Sequence, residues 1–348
     1  VEARWGPEAK PDAAWVFDRP APSIPATPGD GQIPLGEIRK YRKHLNDWKA
    51  YIDSYRSYRP DLGNTNLQGA DLSKTVFSGA LLSDARLEGA NLAKARLKGA
   101  NLRGARLEGA DLDGARLEGA RLFKARLEGA DLTGAWLEGA ELHRARLEGA
   151  ELHSARLEGT DLNEARLEGT DLHKARLEGA NLYEARLESA YLYEARLEGA
   201  NLHGTLLEGA VLTGARLEGA YLHKTLLGRA NLQEAQLDGA GLHGGEPGGL
   251  LLSDDRSEYR TPEIDLSSTN GLTQDQIDSA FGDGSVILPE GLARPAHWPA
   301  WKMDSVFFRE EWKKWRADPD GYTPPPEKAA SSGRGRTAKD STGGDAGP

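Results

Sequence analysis

Residues 105–130 read ARLEGADLDGARLEGARLFKARLEGA, and from Pro60 to Gly244 a leucine stands at almost every fifth position. Two residues before each leucine there is nearly always an alanine or a threonine. A period of five fits neither a helix, which needs about 3.6 residues per turn, nor a simple alternating strand. It predicts a coil whose short sides all follow one rule: a small residue inside, a polar residue outside, a leucine inside and two residues that turn the corner.

The units ANLAK, ADLTG, TDLNE and ANLYE resemble the A(D/N)LXX unit of the pentapeptide-repeat family, and the resemblance covers residues 60–244, or 37 units of five. It implies an all-β fold, a right-handed quadrilateral β-solenoid with four units per coil. That number of units would make about nine coils and a rod of about 43 Å at the usual spacing of strands. The core should be a narrow column of leucines flanked by alanines, so that stability depends on contacts between neighbouring coils.

The composition limits what kind of protein this is. The chain has 348 residues, of which 38% are hydrophobic and none is cysteine, which excludes disulfides, thiolate metal sites and cysteine nucleophiles. Its formal net charge of −10 argues against direct, sequence-independent binding to nucleic acid. No apolar run reaches the length of about 18 residues that spans a bilayer, which favours a cytoplasmic location. Because the chain begins at Val1, a membrane tether upstream is a second interpretation, in which the protein is membrane-associated.

Five segments are expected along the chain. They are a disordered Pro/Ala-rich arm at 1–33, an amphipathic capping helix at 34–59, the β-solenoid at 60–244, a C-terminal extension with short helices at 245–323, and a disordered tail at 324–348. The capping helix has a basic side, so that a helix lying on a membrane or on a partner is the alternative to an end cap. In the extension we expect one helix from Thr273 to Phe281 and a second in DSVFFREEWKKWRADP (304–319) that packs on the last coils. The stretch between residues 269 and 303 resembles the C-terminal extension of some bacterial pentapeptide-repeat proteins.

With four units per coil, residues twenty apart stack, and the solenoid has four faces. We number them in chain order from Asp61. Face 1 carries Asn101, Arg121, Glu141, Asp161, Asn181, Asn201 and Tyr221. Face 2 carries a column of arginines at 86, 106, 126, 146, 166 and 186, each followed two residues later by a glutamate. Face 3 is an acidic stripe of Asp71, Asp111, Asp131, Glu151 and Asp171, with Asn91 among them. Face 4 repeats the arginine and glutamate columns from Arg96 to Arg216, interrupted by Trp136. On faces 2 and 4 the paired charges largely cancel, so we interpret these faces as scaffolding.

Apolar residues take over the outward positions of the C-terminal coils. They are Tyr183, Tyr191, Tyr193, Leu206, Val211, Tyr221 and Leu226. Apolar side chains grouped on a surface indicate that something covers them. The alternatives are the downstream segment folding back, a protein partner, or a second copy that forms a homodimer through these coils.

Little in the sequence points to catalysis or to a bound metal. The carboxylates stand in columns on convex faces, and no nucleophile motif occurs in the context it needs. His203, His223 and His243 should stack on one face, but no Asp or Cys is arranged near them to complete a metal site. The corner glycines carry no phosphate loop, and because Ser189 and Arg229 take equivalent places, we expect no strict need for a positive φ at the corners. We therefore predict no enzyme, no cofactor and no metal.

The function expected from the sequence is a non-catalytic scaffold that presents ordered faces to a protein partner. The alternative is a DNA mimic that modulates DNA gyrase, because the resemblance includes bacterial quinolone-resistance proteins of that kind. A mimic needs a strongly one-signed surface, since duplex DNA carries one charge per about 1.7 Å of axis. Here only the acidic stripe would serve it, and a gyrase supercoiling assay with and without the protein decides between the two.

Overall fold

The computed structural model describes residues 61–244 and 264–327. The predicted arm at 1–33 and capping helix at 34–59 lie outside the described residues, as do residues 245–263 of the extension and residues 328–348 of the tail.

Parallel pairing at an interval of twenty residues holds the solenoid together. Asp71 pairs with Asn91, Arg86 pairs with Arg106, and the same register continues to the last coil. Within each unit the leucine N–H donates to a carbonyl of the next coil, as from Leu87 to Arg106 at 2.7 Å. The alanine N–H closes the turn onto the preceding leucine, as from Ala90 to Leu87 at 3.0 Å. An interval of twenty residues means that each coil contains four units of five. Each side of the coil is therefore a bridge of one to three residues, and the remaining residues of the unit form the corner.

Leucine and alanine fill the interior as the five-residue rule predicts. From Ala80 to Leu242 these two residue types at the inward positions are almost completely buried. Where threonine replaces alanine, its hydroxyl is satisfied by the backbone: Thr160 Oγ1 donates to the Leu157 carbonyl at 2.8 Å. The methyl group of threonine thus takes the place of the alanine side chain, while the hydrogen bond offsets the burial of the hydroxyl. At the N-terminal end, Leu67, Leu72 and Phe77 are only partly buried.

Every corner places its last residue in the left-handed region. The φ of this residue is between +53° and +69° across the solenoid, whether the residue is glycine or not. Ser189 (φ +59°) and Arg229 (φ +60°) adopt it too, so our expectation that the corners do not require a positive φ was wrong. The recurrence of glycine follows, because glycine takes this conformation without the strain of a Cβ.

We expect Ser189→Gly to raise the free energy of unfolding by up to about 1 kcal/mol, since it removes the strain of a Cβ at a positive φ. Gly149→Ala should lower it by a similar amount, and a Cβ at Gly149 would meet no atom within 4 Å, so backbone strain alone is measured. Urea denaturation of both variants checks this prediction. Two shifts of the same sign would contradict it.

The extension adds a further coil to the array. On face 1, the last two coils of the repeat form strands β1 (Tyr221–His223) and β2 (Gly241–His243). After the undescribed residues the chain continues with β3 (Ile264–Asp265), α1 (Gln274–Asp278), β4 (Phe281–Gly282) and β5 (Val286–Ile287). Two parallel sheets result, with strand orders β1-β2-β4 and β3-β5.

The register shows how the array resumes. Asn270 pairs with Asn231 of the preceding coil. In an uninterrupted repeat the partner of Asn231 would be residue 251, twenty positions later. Ile264 therefore takes the coil position that residue 245 would have held. Helix α1 replaces one side of this coil, and its N-cap Thr273 forms the predicted capping box with Gln276.

A second helix lies on the side of the last coils. Helix α2 (Ser305–Ala317) starts at Asp304, whose side chain accepts the N–H groups of Val306 and Phe307. Its buried residues include Phe308, Trp312 and Trp315, which form a second hydrophobic cluster with Phe281 and Met303. The extension thus folds back on the end of the solenoid, one of the three alternatives for the apolar residues there.

Candidate interaction surfaces

Face 2 is a continuous column of ion pairs. From Arg106 to Arg186, each arginine Nε lies 2.8–3.0 Å from the glutamate of the preceding coil. The guanidinium also lies 3.3–3.6 Å from the glutamate two residues further along, through Nη2 in Arg186 and through Nε in the others. Since each of these arginines contacts two glutamates and each glutamate from Glu88 to Glu168 contacts two arginines, the charges cancel along the column. Exposed pairs of this kind are worth about 0.2–1 kcal/mol each, so the column contributes modestly to stability.

Face 4 has the same pairing but a different environment. Arg196 Nε lies 2.9 Å from Glu178, and the Glu178 side chain is completely buried. Burial raises the pKa of Glu178, against the lowering effect of Arg196. Trp136 interrupts the arginine column and lies under the guanidinium groups of Arg116 and Arg156, at 4.6 and 4.4 Å from its ring centroid.

The acidic stripe of face 3 has a structural role that the sequence reasoning missed. Asp111 Oδ1 accepts the backbone N–H of Asp113 at 3.0 Å, and Asp131 Oδ1 accepts that of Thr133 at 2.9 Å. Asp71 and Asp171 form the same bond with the residue two further along. Asn91 forms it as well, which explains why the unit begins with Asp or Asn: the Oδ1 atom closes an Asx turn, and the charge is not needed for it.

The seven apolar residues predicted at the surface are in four different environments. Tyr191 and Tyr193 are 55% and 39% exposed, and both lie on face 3. Val211, which pairs with Tyr191, is partly buried, and so are Tyr183 and Leu226. Leu206 occupies an outward position between Arg186 and Leu226 of the neighbouring coils and is only 7% exposed, so this position is covered.

Helix α2 covers the remaining member of the set. Tyr221 stacks on Trp312 at 5.5 Å between ring centroids, and Trp312 Nε1 donates to the Gly239 carbonyl at 3.0 Å. The guanidinium of Arg309 lies over the same tyrosine ring. What stays open at the C-terminal end of face 3 is the group of Tyr191, Tyr193 and Val211, which we call the tyrosine patch.

A column of histidines lies under helix α2. The rings of His203 and His223 are 4.4 Å apart, and those of His223 and His243 are 4.6 Å apart, so the predicted stacking is present. The column ends on Phe308 of α2, which stacks on His243 at 4.4 Å. His223 and His243 are buried, because α2 and the extra coil enclose these positions.

An aspartate does come close to this column, against our expectation. Asp283 Oδ2 lies 3.1 Å from His243 Nδ1, and Ser285 Oγ lies 3.3 Å from the same nitrogen. These three residues do not form a catalytic triad, because serine and aspartate both face one ring nitrogen and all three are fully buried. Within residues 61–244 and 264–327, no group of three His, Cys, Asp or Glu side chains could hold a metal ion.

The histidine column predicts that the docking of α2 depends on pH. Burial lowers the pKa of His203 to about 4, and burial together with the neighbouring histidines lowers that of His223 to about 2. Lys224 and Arg309 also face the column and add to both shifts, while Asp283 lies at its far end. In the unfolded chain the pKa of a histidine is about 6.5, above both folded values. The stability that depends on His203 and His223 being neutral is therefore fully present above pH 6.5 and is lost progressively as the pH falls toward their folded pKa values.

Hydrogen exchange of residues 221–244 at pH 7.5 and pH 5.0, corrected for the intrinsic rates, tests this prediction. We expect protection to fall at pH 5.0 in the wild type and to fall less in His203→Gln, which cannot take up a proton. A local measurement is needed because the buried glutamates of face 4 have raised pKa values, and their protonation stabilises the fold as the pH falls. Equal losses of protection in the two proteins would contradict the prediction.

None of the helices in the described ranges is long and apolar enough to cross a membrane.

A parallel coil of four five-residue sides, with leucine and alanine inside, defines a repeat protein of the right-handed β-solenoid class. The family model described as pentapeptide repeats matches in eight overlapping copies, at 61–99, 80–119, 90–129, 125–163, 150–188, 161–199, 190–229 and 215–245. The matches together span more than half of the chain, and the chain belongs to the pentapeptide-repeat family.

Solved structures of other pentapeptide-repeat proteins are similar to this chain. HetL from the cyanobacterium Nostoc sp. strain PCC 7120, a protein involved in the regulation of heterocyst differentiation, is 35% identical, with 60% of this chain and 97% of HetL covered and a TM-score of 0.46. QnrB1, a plasmid-mediated fluoroquinolone resistance protein, is 16% identical, with coverage of 60% and 90% and a TM-score of 0.31. Rfr23 from the cyanobacterium Cyanothece 51142 is 27% identical, with coverage of 39% and 93% and a TM-score of 0.14. No curated protein sequence matches the chain.

Proposed function

We propose that this protein is a non-catalytic scaffold whose solenoid presents the tyrosine patch to a protein partner. The observation that carries the proposal is the exposure of Tyr191 and Tyr193, at 55% and 39%, next to each other on one face. Tyrosine offers a large contact area and a hydroxyl for little loss of side-chain entropy, and it is enriched at protein interfaces. The neighbouring coils hold both residues in a fixed backbone register, so the patch is ordered before binding.

The surroundings of the patch indicate the chemistry of the partner. Glu151 and Asp171 precede Tyr191 in the same column, and His173 contacts the ring of Tyr193 edge to face at 4.9 Å. Lys174 lies 3.5 Å from Glu194 and is therefore already paired. A protein segment with an aromatic or aliphatic side chain bordered by lysine or arginine would match the tyrosines and the carboxylates together.

Affinity capture with the full chain as bait, in extracts of the source organism, tests the proposal. The test variant is Tyr191→Ser/Tyr193→Ser, and Tyr183→Ser is the matched control because it has the same position in its unit on face 1. We expect a partner retained by the wild type and by Tyr183→Ser and lost at least tenfold from the double variant. Equal retention by all three baits would refute the tyrosine patch as the contact.

The charge pairing supports a scaffold over a DNA mimic. Each arginine of face 2 from Arg106 to Arg186 contacts two glutamates, which leaves no one-signed surface there. On face 3 four of the five acidic residues use one carboxylate oxygen to close their own turn, so the turn explains why aspartate recurs there without any role in imitating DNA. No change in gyrase supercoiling at tens of micromolar protein is the expected result of the supercoiling assay.

A further inference from the structure

The tyrosine patch borders a recess that is one coil wide. In the coil that follows Tyr191 and Tyr193, the outward positions of face 3 carry small side chains: Val211, Thr213 and Gly214. The coils on either side carry longer ones, and the column that contains Gly214 has Glu194 before it and Glu234 after it. Both glutamates are exposed. A side chain of a partner therefore has room between the two glutamates, beside the tyrosines.

The two glutamates differ in how they are paired. Lys174, one coil before Glu194 in the same column, lies 3.5 Å from the Glu194 carboxylate. Within residues 61–244 and 264–327, no lysine, arginine or histidine nitrogen lies within 4 Å of Glu234, whose Oε1 accepts a bond of 3.5 Å from the Gln233 side chain. Gly214 stands between the two glutamates, at a position where it contributes no side chain. The recess thus has a carboxylate on each side, and the carboxylate of Glu234 is open to a cation.

Both carboxylates act on the patch. A hydrogen bond from Tyr193 to Glu194, together with the charge of Glu194 and more weakly that of Glu234, raises the pKa of the Tyr193 hydroxyl. The two carboxylates and the tyrosine therefore belong to one electrostatic environment. Aromatic rings also attract cations, so the patch and the glutamates favour the same kind of ligand group.

The repeat itself shows how a cation fits at this place. Other units of face 3 carry a lysine at the position of Gly214, namely Lys74, Lys94 and Lys174. Lys174 reaches the glutamate of the next coil. A cation held over Gly214 would lie one coil, or about 4.8 Å, from the glutamate on each side. Because it would contact two carboxylates, it would be held more strongly than the single pair of Lys174 and Glu194.

We propose that the recess over Gly214 receives an arginine or lysine side chain of the protein partner. The charged head lies between Glu194 and Glu234, the stem packs on Val211, and an apolar side chain next to it in the partner packs on the tyrosines. The inference rests on the proposed function, since the tyrosine patch supplies the apolar contact. It goes further in naming the residue type that the partner must present and the place where that residue binds.

Peptide selection on the full chain tests the inference, with a phage-displayed library of random peptides as the probe. We expect the selected sequences to contain an arginine or lysine next to an aromatic or aliphatic residue. In the peptide that binds most tightly, norleucine in place of the basic residue should weaken binding about tenfold, because it keeps the stem and removes the charge. Selected peptides without a basic residue would overturn the inference.

Gly214→Lys is the decisive variant, because it fills the recess with a cation of the chain itself. The fold should accept it: lysines at the same position of other units have φ between +56° and +59°, Gly214 has φ +66°, and a Cβ there would lie 3.5 Å from Glu194 Cγ. Gly134→Lys is the matched control, since it adds the same charge at the same position of face 3, four coils earlier, with φ +62°. We expect the peptide to bind Gly214→Lys about tenfold more weakly and Gly134→Lys as it binds the wild type.

Two further variants separate this inference from the proposed function. Glu234→Gln removes one carboxylate without changing the shape of the side chain and should weaken binding about threefold. If Gly214→Lys and Glu234→Gln bind the peptide as the wild type does while Tyr191→Ser/Tyr193→Ser does not, the recess is not the site of the basic side chain and the tyrosine patch stands. If the tyrosine variant also binds as the wild type does, the proposed function and this inference are both refuted.

Discussion

Replacing Leu147 by Asp is expected to unfold the solenoid. Leu147 is 1% exposed in the middle of the leucine column, and its loss removes contacts with the coils on both sides. Removing a buried leucine side chain costs about 2–5 kcal/mol, and placing an unpaired carboxylate in its position costs more. Because a domain is stable by only about 5–15 kcal/mol, we expect this one change to abolish the cooperative transition in urea followed by far-UV circular dichroism.

The neighbouring residue provides the control. Arg146 points outward, is 43% exposed and is paired with Glu128 and Glu148. Arg146→Ala should cost less than about 1 kcal/mol, as exposed ion pairs do. Equal melting temperatures for the Leu147→Asp and Arg146→Ala variants would overturn the assignment of inward and outward positions throughout the repeat.

Trp312→Ala is expected to release helix α2 from the last coils. The indole is 6% exposed, stacks on Tyr221 and donates to the Gly239 carbonyl, so its removal leaves a cavity and an unpaired carbonyl. Truncation of a buried tryptophan costs about 3–5 kcal/mol, a large loss for the docking of one helix of 13 residues. Hydrogen exchange should show protection lost in residues 221–244 and 305–317 and kept in residues 85–180.

Val306→Ala is the matched control for α2. Val306 is on the same helix but is 76% exposed, so its truncation should change protection little. If Trp312→Ala left residues 221–244 as protected as Val306→Ala does, the helix would not be what shields the histidine column.

The interior of the solenoid could be predicted from the sequence because one rule is repeated in every unit. A five-residue period, with leucine at one position and alanine or threonine two residues earlier, leaves few ways to bury the apolar side chains. The same repetition placed the arginine and glutamate columns on opposite faces. The stacking of His203, His223 and His243 followed from their spacing of twenty.

What the sequence did not predict depends on contacts across segments. Burial of His223 and its neighbours comes from Phe308 and Asp283, which lie in the extension after an interruption of the repeat. The interruption hid the return of Ile264 to the coil, since the register could not be extended across it. The Asx turns of face 3 could have been predicted from the recurrence of Asp and Asn at one position of the unit. Asp and Asn both carry an oxygen at the distance from the backbone that the turn requires, whereas a position selected only for negative charge would accept Glu equally well.

The most direct test of the account as a whole is the dissociation constant of the captured partner for three proteins. They are the wild type, the Tyr191→Ser/Tyr193→Ser variant and a variant of face 2 in which Arg146 and Arg166 are alanine. If faces 2 and 4 are neutralised scaffolding and recognition lies in the tyrosine patch, the tyrosine variant binds at least tenfold more weakly and the arginine variant binds as the wild type does. Weaker binding by the arginine variant, with the tyrosine variant unchanged, would contradict the account.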